Sequence, residues 1–172
     1  VQGAAFGFGF DLAVVGDFTI MAEGTVLGLT ENDRLSADMM MMLPYLTNMK
    51  TAKRLMFMYE KLTAQDALEM GLVNKVVPAD KLMEEAEAWA NRLAVVPSIT
   101  LEQNKRAINH AYDLAGLREA FEFNVQSGAL IEQSADREAR KERNEFVLKY
   151  GVSAWLKQHD ADMKKKTEEA KE

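Results

Sequence analysis

The chain opens with VQGAAFGFGFDLAVVGD, residues 1–17, and this stretch decides the fold. Three glycines fall within residues 3–9, which is too many for a regular strand, so we expect a loop there. The apolar run Phe10 to Val15 predicts a buried helix that ends near Gly16. A glycine-rich loop before a helix presents free N–H groups to an anion or a developing oxyanion. Such loops also form simply because the backbone turns tightly, and both interpretations stay open.

Two carboxylates are candidates for acid/base chemistry near this loop. Asp11 lies on the first turn of the predicted helix, and Glu31 lies on the loop after the second predicted strand. If the strands return beside the helix end, the two carboxylates converge there. A positioned carboxylate that moves a proton contributes roughly 10²- to 10⁴-fold to a rate. The alternative is that Asp11 only favours the helix dipole and that Glu31 is a solvated loop residue.

The pattern of the chain changes near Pro78. Before this residue, alternating positions predict short strands at residues 18–22, 25–27 and 72–77, and Thr63 predicts a helix start. After it the pattern is helical, with Asp80 predicted to cap a helix over residues 81–95. We therefore predict a mixed region over residues 1–80 and a helical region with a polar tail over residues 81–172.

Composition excludes several classes of function. A chain of 172 residues suits one domain, and its net charge of −6 with no concentrated basic face argues against a nucleic-acid partner. With no cysteine and two histidines, neither a disulfide nor a metal site is expected. No stretch is long and apolar enough for a membrane partner, and the opening residues lack a signal-peptide pattern, so a cytoplasmic location is the default expectation. The chain has no initiator Met, which suggests a fragment or a processed product.

Residues 1–13 with Gly16-Asp17 resemble the stretch V-N-G-x-A-x-G-G-G-x-E/D-L-A and its trailing C-D in the enoyl-CoA hydratase/isomerase, or crotonase, family. Residues 62–67 and 71–78 are similar to the family's I-S-A-x-E-A and G-L-V-x-x-V-V-P, and residues 105–109 resemble its A-K-x-A-I-N helix. The resemblance covers about residues 1–160. It implies an α/β spiral of ββα units with a C-terminal helical trimerisation region, and a chain that lacks the family's N-terminal segment.

The resemblance also implies roles for particular residues. Phe8 matches a glycine whose backbone N–H is one donor of the oxyanion hole, and Asp11 and Glu31 match the two catalytic glutamates of the hydratase. The implied substrate-binding residues are Gly7, Gly9 and Gly28. The sequence departs from the family pattern in three places: Phe replaces the middle glycine, Asp shortens the first acid by one methylene, and Leu29-Thr30-Glu31 stands where the family has x-P-E.

The implied reaction is hydration of a 2-enoyl-CoA to a 3-hydroxyacyl-CoA. No cofactor is expected, because coenzyme A is part of the substrate, and the expected partners are an acyl-CoA thioester and other copies of the chain in a homotrimer or a dimer of trimers. The enzymatic alternatives are an enoyl-CoA isomerase, an acyl-CoA hydrolase or a decarboxylase, since one fold hosts all of these reactions. The non-enzymatic alternative is a catalytically incomplete fragment that retains the oligomerisation helices.

Overall fold

A computed structural model describes residues 1–29, 42–133 and 137–170 of the chain. Five short strands and nine α-helices follow one another within these ranges. Their bounds are β1 Ala4–Phe6, α1 Phe8–Val15, β2 Ile20–Ala22, β3 Val26–Gly28, α2 Leu43–Leu46, α3 Met49–Met58, β4 Leu62–Thr63, α4 Ala64–Glu69, β5 Lys75–Val77, α5 Leu82–Ala94, α6 Ser98–Leu114, α7 Leu117–Gln133, α8 Arg137–Tyr150 and α9 Val152–Glu169. The described strands all precede residue 80, and the elements from α5 onwards are helices.

The strands form two small sheets. In the first, β1 pairs in parallel with β3, and β3 pairs antiparallel with β4. In the second, β2 pairs in parallel with β5. The prediction that residues 3–9 form no strand is wrong: Gly3 and Gly7 have positive φ angles and flank β1 rather than interrupt it. The three residues of β1 are therefore extended between two turns, and their hydrogen bonds to β3 hold them in place.

The core lies where α1 packs against the strands and the helices α3 and α4. The largest fully buried apolar side chains are Phe10, Met21, Leu27 and Leu43. Helix α1 is apolar on both its inward and its outward side. The inward side supplies Phe10, Ala13 and Val14 to this core. Buried residues lie in both the first and the second turn of the helix, and this sets the direction in which its N-terminus points.

The helix start predicted from the sequence is correct for one helix and wrong for another. At α4 the predicted start is confirmed: the Thr63 hydroxyl accepts from the Asp66 N–H at 3.1 Å, and the Asp66 carboxylate accepts from the Thr63 N–H at 2.8 Å. This is a capping box. The prediction that Asp80 caps the next helix is wrong, because residues 79–81 form a 3₁₀ turn and no side chain of the described residues caps α5.

Helix α5 lies against the second sheet through polar and aromatic contacts. The Glu85 carboxylate accepts from Lys75 Nζ at 2.6 Å and from Trp89 Nε1 at 2.8 Å. These two donors hold the pKa of Glu85 below its ordinary value of 4.5, the lysine having the larger effect. The Trp89 ring meets Phe18 edge-on, with centroids 5.4 Å apart. Residues far apart in the sequence thus anchor this helix.

The chain divides into two compact units, Val1–Ile131 and Glu132–Glu172. The second unit contains α8 and α9, which contact each other. Aromatic pairs occur on both helices, Phe146 with Tyr150 and Trp155 with His159. The division at residue 80 that the sequence pattern predicts is a different one and stays a prediction. No helix in the described part of the chain has the length and the apolar character needed to cross a membrane.

Candidate active site at the N-terminus of α1

The predicted loop is a turn centred on Gly7. This residue has φ 55° and ψ −124°, a combination that only glycine adopts easily. Its N–H donates to the carbonyl oxygen of Gly28 at 3.1 Å, and its own carbonyl accepts from the Asp11 N–H at 3.0 Å. Gly7 therefore joins the end of β3 to the first turn of α1, and it fixes the helix N-terminus beside the sheet.

The N-terminus of α1 begins at Phe8 and is not capped by any side chain of the described residues. The first N–H groups of a helix have no acceptor within the helix, and they carry the positive end of its dipole. An electronegative atom placed beyond Phe8 would therefore meet oriented donors. This is the arrangement that an oxyanion requires.

The carboxylate of Asp11 lies on the inward side of the same helix and is 2% exposed. Because residues three apart on a helix are neighbours, with Cβ atoms about 5–6 Å apart, Asp11 starts one turn below Phe8. Phe8 and Leu12 lie on the outward side, with 51% and 58% of their surface exposed. One turn of α1 thus presents a buried acid on one side and apolar side chains on the other.

Gly28 lies at the floor of the turn, where an added Cβ atom would be in close contact with its neighbours. A Cβ atom at this position would lie 3.4 Å from the carbonyl oxygen of Glu60 and 3.4 Å from the Phe6 ring. The structure therefore brings Gly7, Gly9 and Gly28 together around one helix end, and their role in substrate binding stays a prediction. Glu31, the second predicted carboxylate, lies outside the described residues.

Two residues beside this turn were missed by sequence reasoning. Lys61 places its ammonium group 6.0 Å from the centroid of the Phe6 ring, and the Glu60 carbonyl packs against Gly28. They reach the turn because β4 pairs antiparallel with β3, Leu27 opposite Leu62. A two-residue strand carries no recognisable alternation, so the sequence offered no signal of this pairing.

A groove of about 940 Å³ lies at the C-terminal end of α1. Its walls come from the end of α1, from α6 and from the start of α7, and they are largely apolar. Lys105 of α6 forms an ion pair with Asp17 at this groove, and both side chains are more than half exposed. In the described residues no group of three or more His, Asp and Glu side chains is placed to hold a metal ion.

Comparison with known proteins identifies the family. A family profile for enoyl-CoA hydratase/isomerase matches residues 1–158. The chain belongs to this family. YngF of Bacillus subtilis (strain 168), a protein named as an enoyl-CoA hydratase/isomerase, is 33% identical over 138 residues, which are 78% of this chain and 50% of that protein. The chain thus spans about half the length of the curated relative that it matches.

Solved structures of family members share the fold. An enoyl-CoA hydratase/isomerase from Xanthobacter autotrophicus Py2 superposes with a TM-score of 0.84 at 28% identity, covering 93% of this chain and 60% of that one. A carnitinyl-CoA dehydratase from Mycobacterium avium 104 gives a TM-score of 0.71 at 26% identity, covering 79% and 55%. The predicted α/β crotonase fold with C-terminal helices is therefore confirmed.

Proposed function

We propose that this chain is the part of an acyl-CoA enzyme that holds a thioester oxygen and moves a proton, and that the reaction is hydration of a 2-enoyl-CoA. The observation that carries the proposal is the Gly7 turn, which joins Gly28 to an uncapped helix N-terminus and leaves a buried carboxylate one turn away. Membership of the hydratase/isomerase family supports the substrate class.

In the proposed reaction the thioester carbonyl oxygen accepts a hydrogen bond from the Phe8 N–H. The water oxygen bonds to C3 while one of the two carboxylates, Asp11 or Glu31, takes a proton from the water. The π electrons of the C2–C3 double bond move towards the carbonyl, and negative charge collects on its oxygen. The other carboxyl group then gives a proton to C2, which yields the 3-hydroxyacyl-CoA. Coenzyme A belongs to the substrate, and the scheme uses no further cofactor.

Helix N–H groups suit this reaction because they act where charge develops. A single donor at an oxyanion is worth roughly 10²- to 10³-fold in rate. The N–H belongs to the backbone, so Phe in place of glycine keeps the donor.

Migration of the double bond is the second candidate reaction, and the burial of Asp11 favours it. A carboxylate that is 2% exposed is shielded from bulk water. One shielded carboxylate is enough to take a proton from one carbon of an acyl chain and return it to another, without adding water. The products separate the candidates, since hydration adds a hydroxyl group and migration does not.

The test is loss of the conjugated enoyl absorbance when the chain is mixed with crotonyl-CoA. We expect turnover that falls by at least 10²-fold in Asp11→Asn, because the amide cannot exchange the proton. Glu23→Gln is the matched control, since it changes an exposed acid on the turn between β2 and β3. Equal rates in Asp11→Asn and in the unchanged chain would overturn the role of Asp11, and no turnover at all would overturn the proposed hydratase activity of this chain.

We further propose that copies of the chain associate, as a homotrimer or a dimer of trimers. Helices α6 and α7 carry exposed apolar side chains that the first unit does not cover, among them Ile99, Ile108, Leu114, Phe123 and Val125. Exposed apolar surface on this scale is typical of a protein contact. Self-association without turnover is the outcome expected of an incomplete fragment.

A further inference from the structure

The Phe8 side chain is an exposed aromatic ring at the candidate active site. Half of its surface, 51%, is accessible to solvent, although the residue follows a buried glycine and begins a helix whose inward face is buried. Leu12 and Val15 follow at intervals of four and three residues and are also exposed. The three side chains form an apolar stripe along the outward face of α1, starting at its N-terminus.

The direction of the ring follows from helix geometry. Each Cα–Cβ bond of an α-helix tilts towards the N-terminus, so a side chain covers the turn before its own Cα. At Phe8 there is no preceding turn, and the ring therefore overhangs the helix end. A group whose oxygen accepts from the Phe8 N–H lies within reach of the ring of the same residue.

We propose that the Phe8 ring, with Leu12 one turn away, contacts the acyl group and selects extended apolar acyl chains over short ones. This inference rests on the proposed function, because it places the thioester oxygen at the Phe8 N–H. The chemical class of the favoured substrate is an acyl-CoA with a chain of the octanoyl type. An acetyl group is too short to cover the ring.

The expected size of the effect follows from the exposed area. A fully buried Phe side chain is worth about 1.5–3 kcal/mol, and about half of the Phe8 surface remains to be covered. Contact of an acyl chain with this half changes affinity by about four- to thirteenfold. An acetyl group, which reaches little of the ring, should gain almost nothing.

Calorimetric titration of the chain with octanoyl-CoA and with acetyl-CoA tests the inference, because neither thioester is a substrate for hydration. We expect Phe8→Ala to weaken octanoyl-CoA binding about tenfold and acetyl-CoA binding by less than twofold. Alanine keeps the N–H and favours the helix. Phe8→Leu should retain most of the preference, because leucine also presents an apolar surface.

Phe57→Ala is the matched control, since Phe57 is 67% exposed on α3 and takes no part in the turn. It should leave both affinities unchanged. Equal weakening of the two thioesters by Phe8→Ala, or no weakening of octanoyl-CoA, would overturn the specificity role and leave the proposed function intact. If the unchanged chain binds neither thioester, the proposed function fails and the inference fails with it.

Discussion

Helices α1 and α6 belong to the same compact unit but are packed in opposite ways. The eight residues of α1 bury four side chains, including the carboxylate of Asp11, whereas none of the 17 residues of α6 is buried. The inward face of α1 is buried because β1 precedes it, β3 pairs beside β1, and the helices α3 and α4 complete the core. α6 keeps its apolar face open. The position of α1 is thus set by its buried face, whereas α6 has an exposed apolar surface that can contact another molecule.

Truncating a buried and an exposed phenylalanine should give the largest contrast. Phe10→Ala removes a ring from the core beside α1 and leaves a cavity, so we expect it to lower the free energy of unfolding by about 3–5 kcal/mol. Phe123→Ala changes a ring on α7 that is 71% exposed and should stay within about 0.5 kcal/mol. Urea unfolding of both variants measures the difference. Equal losses would mean that the two regions are packed alike.

Substitution of Gly7, in the turn, and of Gly9, in the helix that follows it, should change the stability of the chain in opposite directions. Gly7→Ala forces a side chain into a positive-φ conformation and should cost about 1–3 kcal/mol. Gly9→Ala is its control, because Gly9 is helical and a Cβ there meets only the Ala5 Cβ at 3.9 Å. It should stabilise the chain by about 0.4–1 kcal/mol, since alanine restricts the unfolded state. Thermal unfolding distinguishes them, and a stabilising Gly7→Ala would refute the assigned turn.

The open face of α6 should affect association rather than folding. Replacing Ile108 and Leu114 by serine removes apolar surface that the chain itself does not cover. If this face joins copies of the chain, the dissociation constant of the oligomer should rise at least about tenfold, or about 1.4 kcal/mol. Analytical ultracentrifugation measures it, with Gln103→Ser as the control on the same helix. An unchanged oligomer would place the contact elsewhere.

The smallest expected effect concerns pH and the anchoring of α5. The folded-state pKa of Glu85 is depressed, so its contribution to stability is present above about pH 4.5 and is lost as the pH falls through the folded pKa. Glu85→Gln should therefore lower the urea midpoint at pH 7, and the difference should shrink as the pH falls below about 4.5. Glu87→Gln, an exposed neighbour on the same helix, should have no effect at either pH. A pH-independent difference would show that Lys75 and Trp89 do not set this pKa.

Local signals predicted much of the helical structure. Thr63 predicted the start of α4, and residues 1–13 carried part of the resemblance by which the family and the fold were predicted. The same signals failed at β1 and at Asp80. A three-residue strand has too few positions to show an alternation, and one carboxylate near a proline does not decide between a 3₁₀ turn and a helix cap. The glycines were taken to exclude a strand, but Gly3 and Gly7 belong to the two turns that flank the three residues of β1.

The sequence by itself determined which residues could take part in the candidate site. Gly7, Phe8 and Asp11 are neighbours along the chain, so their spacing on one helical turn follows from the 3.6-residue period alone. Only the tertiary structure decided that Gly28 meets Gly7, that Glu60 and Lys61 lie beside Gly28 and Phe6, and that Asp11 faces the core while Phe8 faces solvent. The physical reason is that backbone hydrogen bonds pair β1, β3 and β4 and so join residues more than twenty positions apart. The backbone groups that form these bonds do not depend on the side chain, so the order of side chains along the sequence does not reveal the pairing.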